Sequence, residues 1–358
     1  MSAKKSDTKR ILIPIIGFGP QGGYRVLSEL ANAWIRAGHE CTFLVPATSP
    51  EPYFPTTAKI LRCDRNSAFS DQPSSKRARG IDNVLSIFAG LKCVGKNYDV
   101  ILGNHCLTAW PVYLANCGSA RKIYYIQAYE PDYYSPFKDP IKHLLARGSY
   151  LLRLRQIANA SIYQGWGINP EAVIPPGIDL TIFTQKIDKE SFANKQTITL
   201  GTIGRSEPYK GTGTALAAYR MLRKHDQRLR MKVAFGNVEP ADDIEIVPIR
   251  GDAQLASFYR SIDILLVTCR GQHGAPHYPL IESMASGTPV IHTGYCPGDT
   301  NNSWPASDTS ATSIANATTD LIYASEDEIK RRVTNARKEI EGNFSWNVVA
   351  QQFESLFS

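Results

Sequence analysis

Short apolar runs alternate with amphipathic helical stretches twice along this chain, and that alternation restricts the fold more than any other feature. A strand, a helix and another strand in series call for a parallel sheet with crossover helices. In the first half, Ile11–Ile16 reads as a buried strand followed by a glycine loop. Residues 24–36 read as a helix with Leu27, Leu30, Ala31 and Trp34 on one face, closed by Gly38. Strands are expected at Cys41–Val45, Tyr98–Leu102 and Lys122–Gln127. A polar, mobile loop is expected at 66–80 and a basic amphipathic helix at 139–156. The second half repeats the pattern: strands at 197–203, 231–235, 263–268 and 289–292, and helices at 211–226, 253–261 and 279–286. Helices at 310–322 and 326–341 follow, then a last one from Asn347. Residues 164–195 lack periodicity and contain the turn VIPPGID, so the junction is placed there. The expected division is 1–165, a linker region 166–195, and 196–344, with 345–358 as a final helix.

The bulk numbers agree with two soluble α/β halves. A chain of 358 residues has two domains as its natural prior, and 43% apolar against 20% charged residues is an ordinary globular balance. The net charge of +7 favours anionic partners without choosing one. Four basic residues sit in the tail MSAKKSDTKR, which reads as solvated. The seven cysteines are odd in number and form no CxxC pair, which argues against a disulfide framework or zinc site and for a reducing compartment. The first apolar run is too short for a signal peptide, and no run approaches the ~18 apolar residues of a membrane span. Asn159 and Asn316 in Asn-x-Ser/Thr sequences are then chance matches.

Two segments carry the chemistry. Residues 201–214, GTIGRSEPYKGTGT, form a strand end and glycine turn bearing Arg205 and Lys210 before a helix. Residues 271–290, GQHGAPHYPLIESMASGTPV, form a proline-broken loop entering a helix through His277, Tyr278, Pro279 and Leu280, with Glu282 near its start. A glycine turn and a helix start both aim backbone N–H groups outward, and two cations reinforce them. Arginine can bridge phosphate oxygens through its fork while lysine acts as a point charge. This predicts a diphosphate site, with Glu282 as a carboxylate for sugar hydroxyls. The alternative for Glu282 is a helix acid favoured by the dipole alone. His273 and His277 lack a third ligand at metal spacing, so contact with sugar or phosphate is expected of these loop histidines.

In the first half, Gly17-Phe-Gly19-Pro-Gln-Gly22 fits GxGxxG. The second strand, however, ends Leu44-Val45-Pro46 without the acid that a dinucleotide ribose requires. An open glycine loop whose N–H groups approach a ligand, through Gly19, Gly22 and Gly23, is the preferred reading; a tight turn is the plainer one. Asn104-His105-Cys106 and Gln127-Ala-Tyr129-Glu130 end successive strands, where ligands of such sheets collect. His105 is a candidate general base, and Glu130 either orients an acceptor hydroxyl or caps a turn. Tyr124, Tyr125, Tyr129, Tyr133 and Tyr134 form either a sugar-stacking wall or core packing. The helix around Lys142, His143, Arg147, Arg153 and Arg155 interleaves bases with Leu144, Leu145, Leu151 and Leu152, a pattern shared by membrane-surface helices and by ordinary solvated faces. No motif supports nucleic-acid binding.

Taken in order, GFGPQGG, VIPPGID, GRSEPYKG, LIESMASGTPV and Phe344-Ser-Trp346 resemble the family 4 glycosyltransferases of the GT-B fold, over most of the chain. The resemblance implies two facing Rossmann-like domains with parallel sheets and an interdomain cleft. It also implies an acceptor-side first domain, a C-terminal helix returning to it, and a nucleotide-sugar donor held mainly by the second domain. Arg205 and Lys210 then hold the diphosphate, Glu282 the ribose, and the backbone at Ile249-Arg250 the base. Two positions depart from the family pattern. The first glutamate of E-x7-E is replaced by Gly274, and a frequent histidine is replaced by Gln127. Both changes fall on the donor sugar. YIQAYEPDYY and APHYPLIE resemble bacterial polysaccharide rhamnosyltransferases, which implies a deoxysugar donor such as dTDP-rhamnose.

The expected activity is retaining sugar transfer to a glycan or lipid-linked acceptor. It involves Arg205, Lys210, Gln127 and His105 in catalysis, and Tyr129 and Glu130 at the acceptor. No cofactor and no metal are expected: no DxD pair is present, and the cations neutralise the diphosphate. The expected location is cytoplasmic, with peripheral contact at the inner membrane face. The alternatives are a nucleotide-sugar epimerase, a non-catalytic nucleotide-sugar binder and, furthest off, a dehydrogenase.

Overall fold

A computed structural model describes residues 8–75, 80–186, 191–236, 238–239 and 241–357. Most of the basic tail, through residue 7, and residues 76–79 of the expected loop lie outside the described residues. The chain divides into two compact units, Met1–Gly177 with Trp346–Ser358, and Ile178–Ser345. Residues 166–177 therefore fall in the first unit and 178–195 in the second.

The first unit contains β1 (Arg10–Pro14), α1 (Gly22–Arg36), β2 (Glu40–Pro46), β3 (Lys59–Cys63), β4 (Phe69–Ser70), α2 (Gly80–Val94), β5 (Val100–Gly103), α3 (Cys106–Leu114), β6 (Arg121–Ile126), α4 (Pro140–Ser149), β7 (Arg155–Ala158) and β8 (Ala172–Val173). They form an eight-stranded sheet in the order β4-β3-β2-β1-β5-β6-β7-β8. Every pairing is parallel except that of β3 with β4. The inner strands are continuous apolar runs because helices cover both faces. Leu12, Leu44 and Ile101 from three strands pack with Ile87 and Leu91 of α2 and Val112 of α3.

The second unit contains β9 (Ile198–Ile203), α5 (Thr212–Arg223), β10 (Leu229–Ala234), β11 (Ile244–Val247), α6 (Asp252–Ser261), β12 (Ile264–Val267), α7 (Tyr278–Ala285), β13 (Val290–His292), β14 (Trp304–Pro305), α8 (Ala311–Ile322) and α9 (Glu326–Asn343). Its six-stranded sheet runs β11-β10-β9-β12-β13-β14, all parallel. The pleat distributes β12 between two cores. Leu265 and Val267 join Phe258, Ile281 and Ile340 on one face, while Ile264 and Leu266 join Leu216, Met231 and Ile314 on the other.

Several expectations are corrected. The helix expected at 139–156 ends at Ser149, because residues 155–158 instead extend the sheet beside β6, with Ile123 opposite Arg155. Strand pairing there prevails over local helical pattern. The helices α2 and α3 and the strands β3 and β11 had no periodic signal strong enough to be expected. In α3 the obstacle is Pro111, which denies the Leu107 carbonyl its helical donor. Part of the expected loop 66–80 is the short strand β4, whose Ser70 lies opposite Arg62.

The last helix, α10 (Trp346–Glu354), packs on α1 within the first unit. Trp34 is fully buried; its indole N–H donates to the Ala350 carbonyl at 3.3 Å and its ring meets Phe353 edge-on at 5.7 Å. Phe353 also meets Tyr125 of β6 at 5.0 Å. Trp34→Ala should lower stability by about 3–5 kcal/mol through loss of this contact. Chemical denaturation followed by the remaining tryptophans measures it, and a loss below about 1 kcal/mol would show that α10 contributes little.

Candidate functional site

Each sheet steps outward from one strand and then reverses direction. In the second unit the reversal lies between β9 and β12. The helices that follow them sit on opposite faces: Leu216 of α5 belongs to one core and Ile281 of α7 to the other. Loops leaving the carboxyl ends of such strands diverge and leave a crevice, the usual ligand position in these sheets.

The turn after β9 is tied down from both ends. Thr212, opening α5, accepts from the Arg205 N–H at 2.9 Å and donates to the Arg205 carbonyl at 3.0 Å. The Thr268 hydroxyl, just past β12, donates to the Gly211 carbonyl at 2.7 Å, and the Arg270 N–H donates to the Tyr209 carbonyl at 2.8 Å. Gly211 has φ +80°, and a Cβ there would collide with the Thr268 carbonyl, so the turn requires glycine. The exposed Arg205 guanidinium lies 5.3 Å from the Phe235 ring centroid, and Lys210 Nζ lies 5.1 Å from that of Tyr209. Among the described residues, neither cation has a carboxylate within salt-bridge distance. Phe235 itself is held at φ +68°, a left-handed conformation unfavourable for a bulky residue. No short-range pattern singles it out; an aromatic residue just past β10 and before Gly236 is its one signal in the sequence.

His277 stands before α7 and receives the charge of this turn. Burial, followed by the positive charges of Lys210 and Arg205, lowers its pKa to about 3, so the ring is neutral at physiological pH. Its Nδ1 is buried with no hydrogen-bond partner, and its ring lies 4.6 Å from that of Tyr295. The sequence had not pointed to Tyr295, which also meets His273 edge-on at 5.4 Å. Fewer backbone donors are presented at this helix start than expected. The N–H groups of Leu280 and Ile281 turn back to the His277 carbonyl at 3.0 and 3.1 Å, and Pro279 has none. Glu282 is only 3% exposed, and its carboxylate accepts the Tyr259 hydroxyl of α6 at 2.8 Å. It lies beyond the first turn of α7, so the helix dipole does not account for it. At the other proposed donor contact, the Arg250 N–H donates to the Gln254 side chain at 2.7 Å, and Ile249 packs against the α6–α7 core.

The first unit has the same reversal between β1 and β5. Past β1, Gly23 offers its carbonyl to Gln127 Nε2 at 3.4 Å, beyond β6. The Gln127 carbonyl in turn accepts Asn159 Nδ2 at 3.0 Å and the Tyr163 hydroxyl at 3.1 Å. The loop carrying Gly19 is pinned where the Phe18 N–H donates to Ser49 Oγ at 3.2 Å. A Cβ at Gly22 would meet nothing within 4 Å, so internal crowding does not explain glycine there. Tyr129 is stacked on Tyr150 at 5.9 Å and tilted against Trp166 at 5.0 Å. Trp166 is a half-exposed ring that the sequence reading passed over.

His105 and Glu130 are both bound to the start of α3. His105 Nδ1 accepts the Leu107 N–H at 3.1 Å, leaving only Nε2 for proton transfer. Glu130 is 3% exposed; its carboxylate accepts the Cys106 N–H at 2.5 Å and the Tyr124 hydroxyl at 3.4 Å. Burial raises its pKa from the ordinary carboxylate value. His105, Cys106 and Glu130 place one ligand atom each within 4.8 Å of one another. His105 Nδ1 and one Glu130 carboxylate oxygen already accept backbone N–H groups, and burial pushes the Cys106 thiol well up. The seven cysteines are all free thiols.

Two substitutions test this geometry. Gly211→Ala should destabilise the second unit by more than about 2 kcal/mol through strain and collision, measured as a fall in melting midpoint; an unchanged midpoint would show that the turn adapts. Where Arg205 holds the expected diphosphate, Phe235→Leu should weaken nucleoside-diphosphate binding by roughly two- to fivefold, the value of an exposed cation–π contact. Equal calorimetric affinities would disconnect Phe235 from Arg205.

No family model matches the chain. A D-inositol 3-phosphate glycosyltransferase of Segniliparus rotundus is 27% identical over 182 residues, covering 43% of this chain. The chain spans about two fifths (40%) of that relative's length. Sucrose-phosphate synthase from Thermosynechococcus elongatus superposes with a TM-score of 0.73 at 17% identity, over 98% of both chains. The Anabaena protein Alr3699/HepE, solved with UDP and glucose, gives 0.68 at 14% identity, over 97% of this chain and 99% of its own. TarM gives 0.70 at 10% identity, over 99% of both chains. These structural neighbours bear out the expected fold class: this is an α/β chain of two units, each built on a largely parallel sheet, with the fold of the GT-B glycosyltransferases.

Proposed function

We propose that this chain is a glycosyltransferase that takes a sugar from a nucleotide-sugar donor. The observation that carries the reading is the pair Arg205 and Lys210, without carboxylate partners among the described residues, whose charge holds down the pKa of His277, a histidine whose Nδ1 has no hydrogen-bond partner. Two cations on a rigid glycine turn at a reversal of strand order bind a dianion well. The similar proteins include one solved with UDP-glucose and one bound to ADP and acarbose.

In this reading the second unit holds the donor. Arg205 and Lys210 take the diphosphate, Glu282 the ribose, and the 249–250 segment the base; His277 to Leu280 line the site. Tyr259 fixes the Glu282 carboxylate, so ribose hydroxyls meet an oriented acceptor. The resemblance also assigns Gly19, Gly22 and Gly23 to donor binding, and a Cβ at Gly22 would meet nothing within 4 Å. Gln127 faces the transferred sugar, and Tyr129 with Glu130 and His105 form the acceptor side. Glu130 acts there by shaping α3, since its own carboxylate is committed to Cys106. Transfer breaks the bond from the sugar anomeric carbon to the diphosphate and forms one to the acceptor oxygen. The acceptor proton goes to the departing phosphate on the same face, so configuration is retained. The cations stabilise the charge that develops, and no metal is required.

The donor proposed is a deoxysugar nucleotide such as dTDP-rhamnose, on the resemblance of the YIQAYEPDYY and APHYPLIE segments and on Gly274, where the family's sugar-contacting glutamate is missing. The proposed acceptor is a polysaccharide or lipid-linked glycan at the inner membrane face. Among the described residues, no helix is long and apolar enough to cross a membrane.

Thermal shifts with dTDP-, UDP-, GDP- and ADP-sugars test the donor, since a ligand that binds only the folded state raises its melting temperature. One or more should raise it, and Arg205→Ala with Lys210→Ala should remove the shift; equal shifts in wild type and variant would overturn the assignment. Transfer should persist in EDTA, and abolition rescued only by a divalent ion would defeat metal independence. Bound nucleoside diphosphate should also raise the His277 pKa from about 3 towards its ordinary value, because a nearby anion favours the imidazolium. An unchanged histidine titration by NMR would place the anion elsewhere.

A further inference from the structure

The first unit carries an apolar and basic face that its own folding does not explain. Phe137 is 94% exposed, Leu151 83%, Ile141 74% and Leu144 71%. Ile141 and Leu144 lie three residues apart on α4 and so share a side, with Phe137 in the turn just before the helix and Leu151 just past its end. The inner side of α4 is anchored without them. Ala146 and Ser149 are fully buried, the Trp110 indole N–H donates to the Leu145 carbonyl at 3.0 Å, and His143 Nδ1 lies 3.1 and 3.0 Å from the Pro131 and Tyr134 carbonyls. Leu114, closing the neighbouring α3, is 62% exposed as well.

The charges on the same segment have one dominant sign. Lys138, Lys142, Arg147 and Arg153 are all exposed, against Asp132 and Asp139. Asp139 is already paired with Lys142 at 2.8 Å. Large apolar side chains ringed by an excess of cations match an anionic bilayer surface: the cations meet phosphate headgroups and the apolar tips enter the acyl boundary. A soluble protein partner would match such a face only by supplying both acidic and apolar groups in register, whereas a bilayer supplies both everywhere.

We propose that Phe137, Ile141, Leu144 and Leu151, with Lys138, Lys142, Arg147 and Arg153, form a docking face for anionic phospholipid. This deepens the acceptor side of the proposed function, on which it rests: a lipid-linked acceptor would then be met at the surface to which the first unit is bound.

The test is co-sedimentation of the full chain with phosphatidylcholine vesicles, with and without phosphatidylglycerol. Binding should require the anionic lipid and weaken as salt is raised. Lys138→Gln/Lys142→Gln/Arg147→Gln should weaken it by on the order of a hundredfold, at about fivefold for each cation near the surface. Phe137→Ser and Leu151→Ser should each weaken it at least about tenfold. Because these side chains are exposed, the variants should fold, and an unchanged melting midpoint confirms that. No binding at low salt, or equal binding by wild type and both variant sets, overturns the proposal. So does a concentration-dependent dimer that the serine variants abolish, since the face would then receive a second copy. The nucleotide thermal shift is read on the same samples. Loss of vesicle binding with the shift intact defeats the docking face alone, and absence of the shift with vesicle binding intact defeats the donor reading alone.

Discussion

The reversal of strand order in each parallel sheet is the constraint from which the rest of this molecule follows. A parallel sheet needs a crossover after every strand, and the crossovers from β9 and β12 lie on opposite faces. The carboxyl ends of those strands are therefore left with two diverging loops. Backbone groups in such loops are not consumed by the sheet, so side chains must tie them down. Thr212, Thr268 and the Arg270 N–H do this for the turn bearing Arg205 and Lys210. The result is a cationic turn held rigid by neutral hydrogen bonds, which leaves its charges free of carboxylate partners among the described residues.

Burial does much of the electrostatic work around that turn. His277, half-buried beside two cations, stays neutral, and its Nδ1 is left without a hydrogen-bond partner. Glu282 is buried as well, and the hydroxyl of the core residue Tyr259 fixes its carboxylate as an oriented acceptor. In the first unit, local hydrogen bonding claims a candidate general base, His105, and a candidate acceptor residue, Glu130. Glu130 and the Nδ1 of His105 both serve the N–H groups that open α3, because a helix start buried without partners would be costly. What remains outward there is aromatic, through Tyr129 and Trp166, and glycine backbone at the 19–23 loop.

Local pattern determined the alternation of elements and the places where chemistry collects. Glycines after an apolar run, cations beside them and a proline before a helix have fixed conformational meanings, so the turn at 204–211 and the start of α7 were legible in one dimension. The same local rules failed where a neighbour in space decided. β7 was absorbed into a helix because only its pairing with β6 makes it a strand, and α3 was hidden by Pro111 and by capping groups that come partly from Glu130, far along the chain. The sequence could name Arg205, Lys210, His277 and Glu282. Only the tertiary structure decided that Phe235 lies against the first, that both cations act on the third, and that Tyr259 holds the last, because those contacts join strands and helices that no short-range pattern connects.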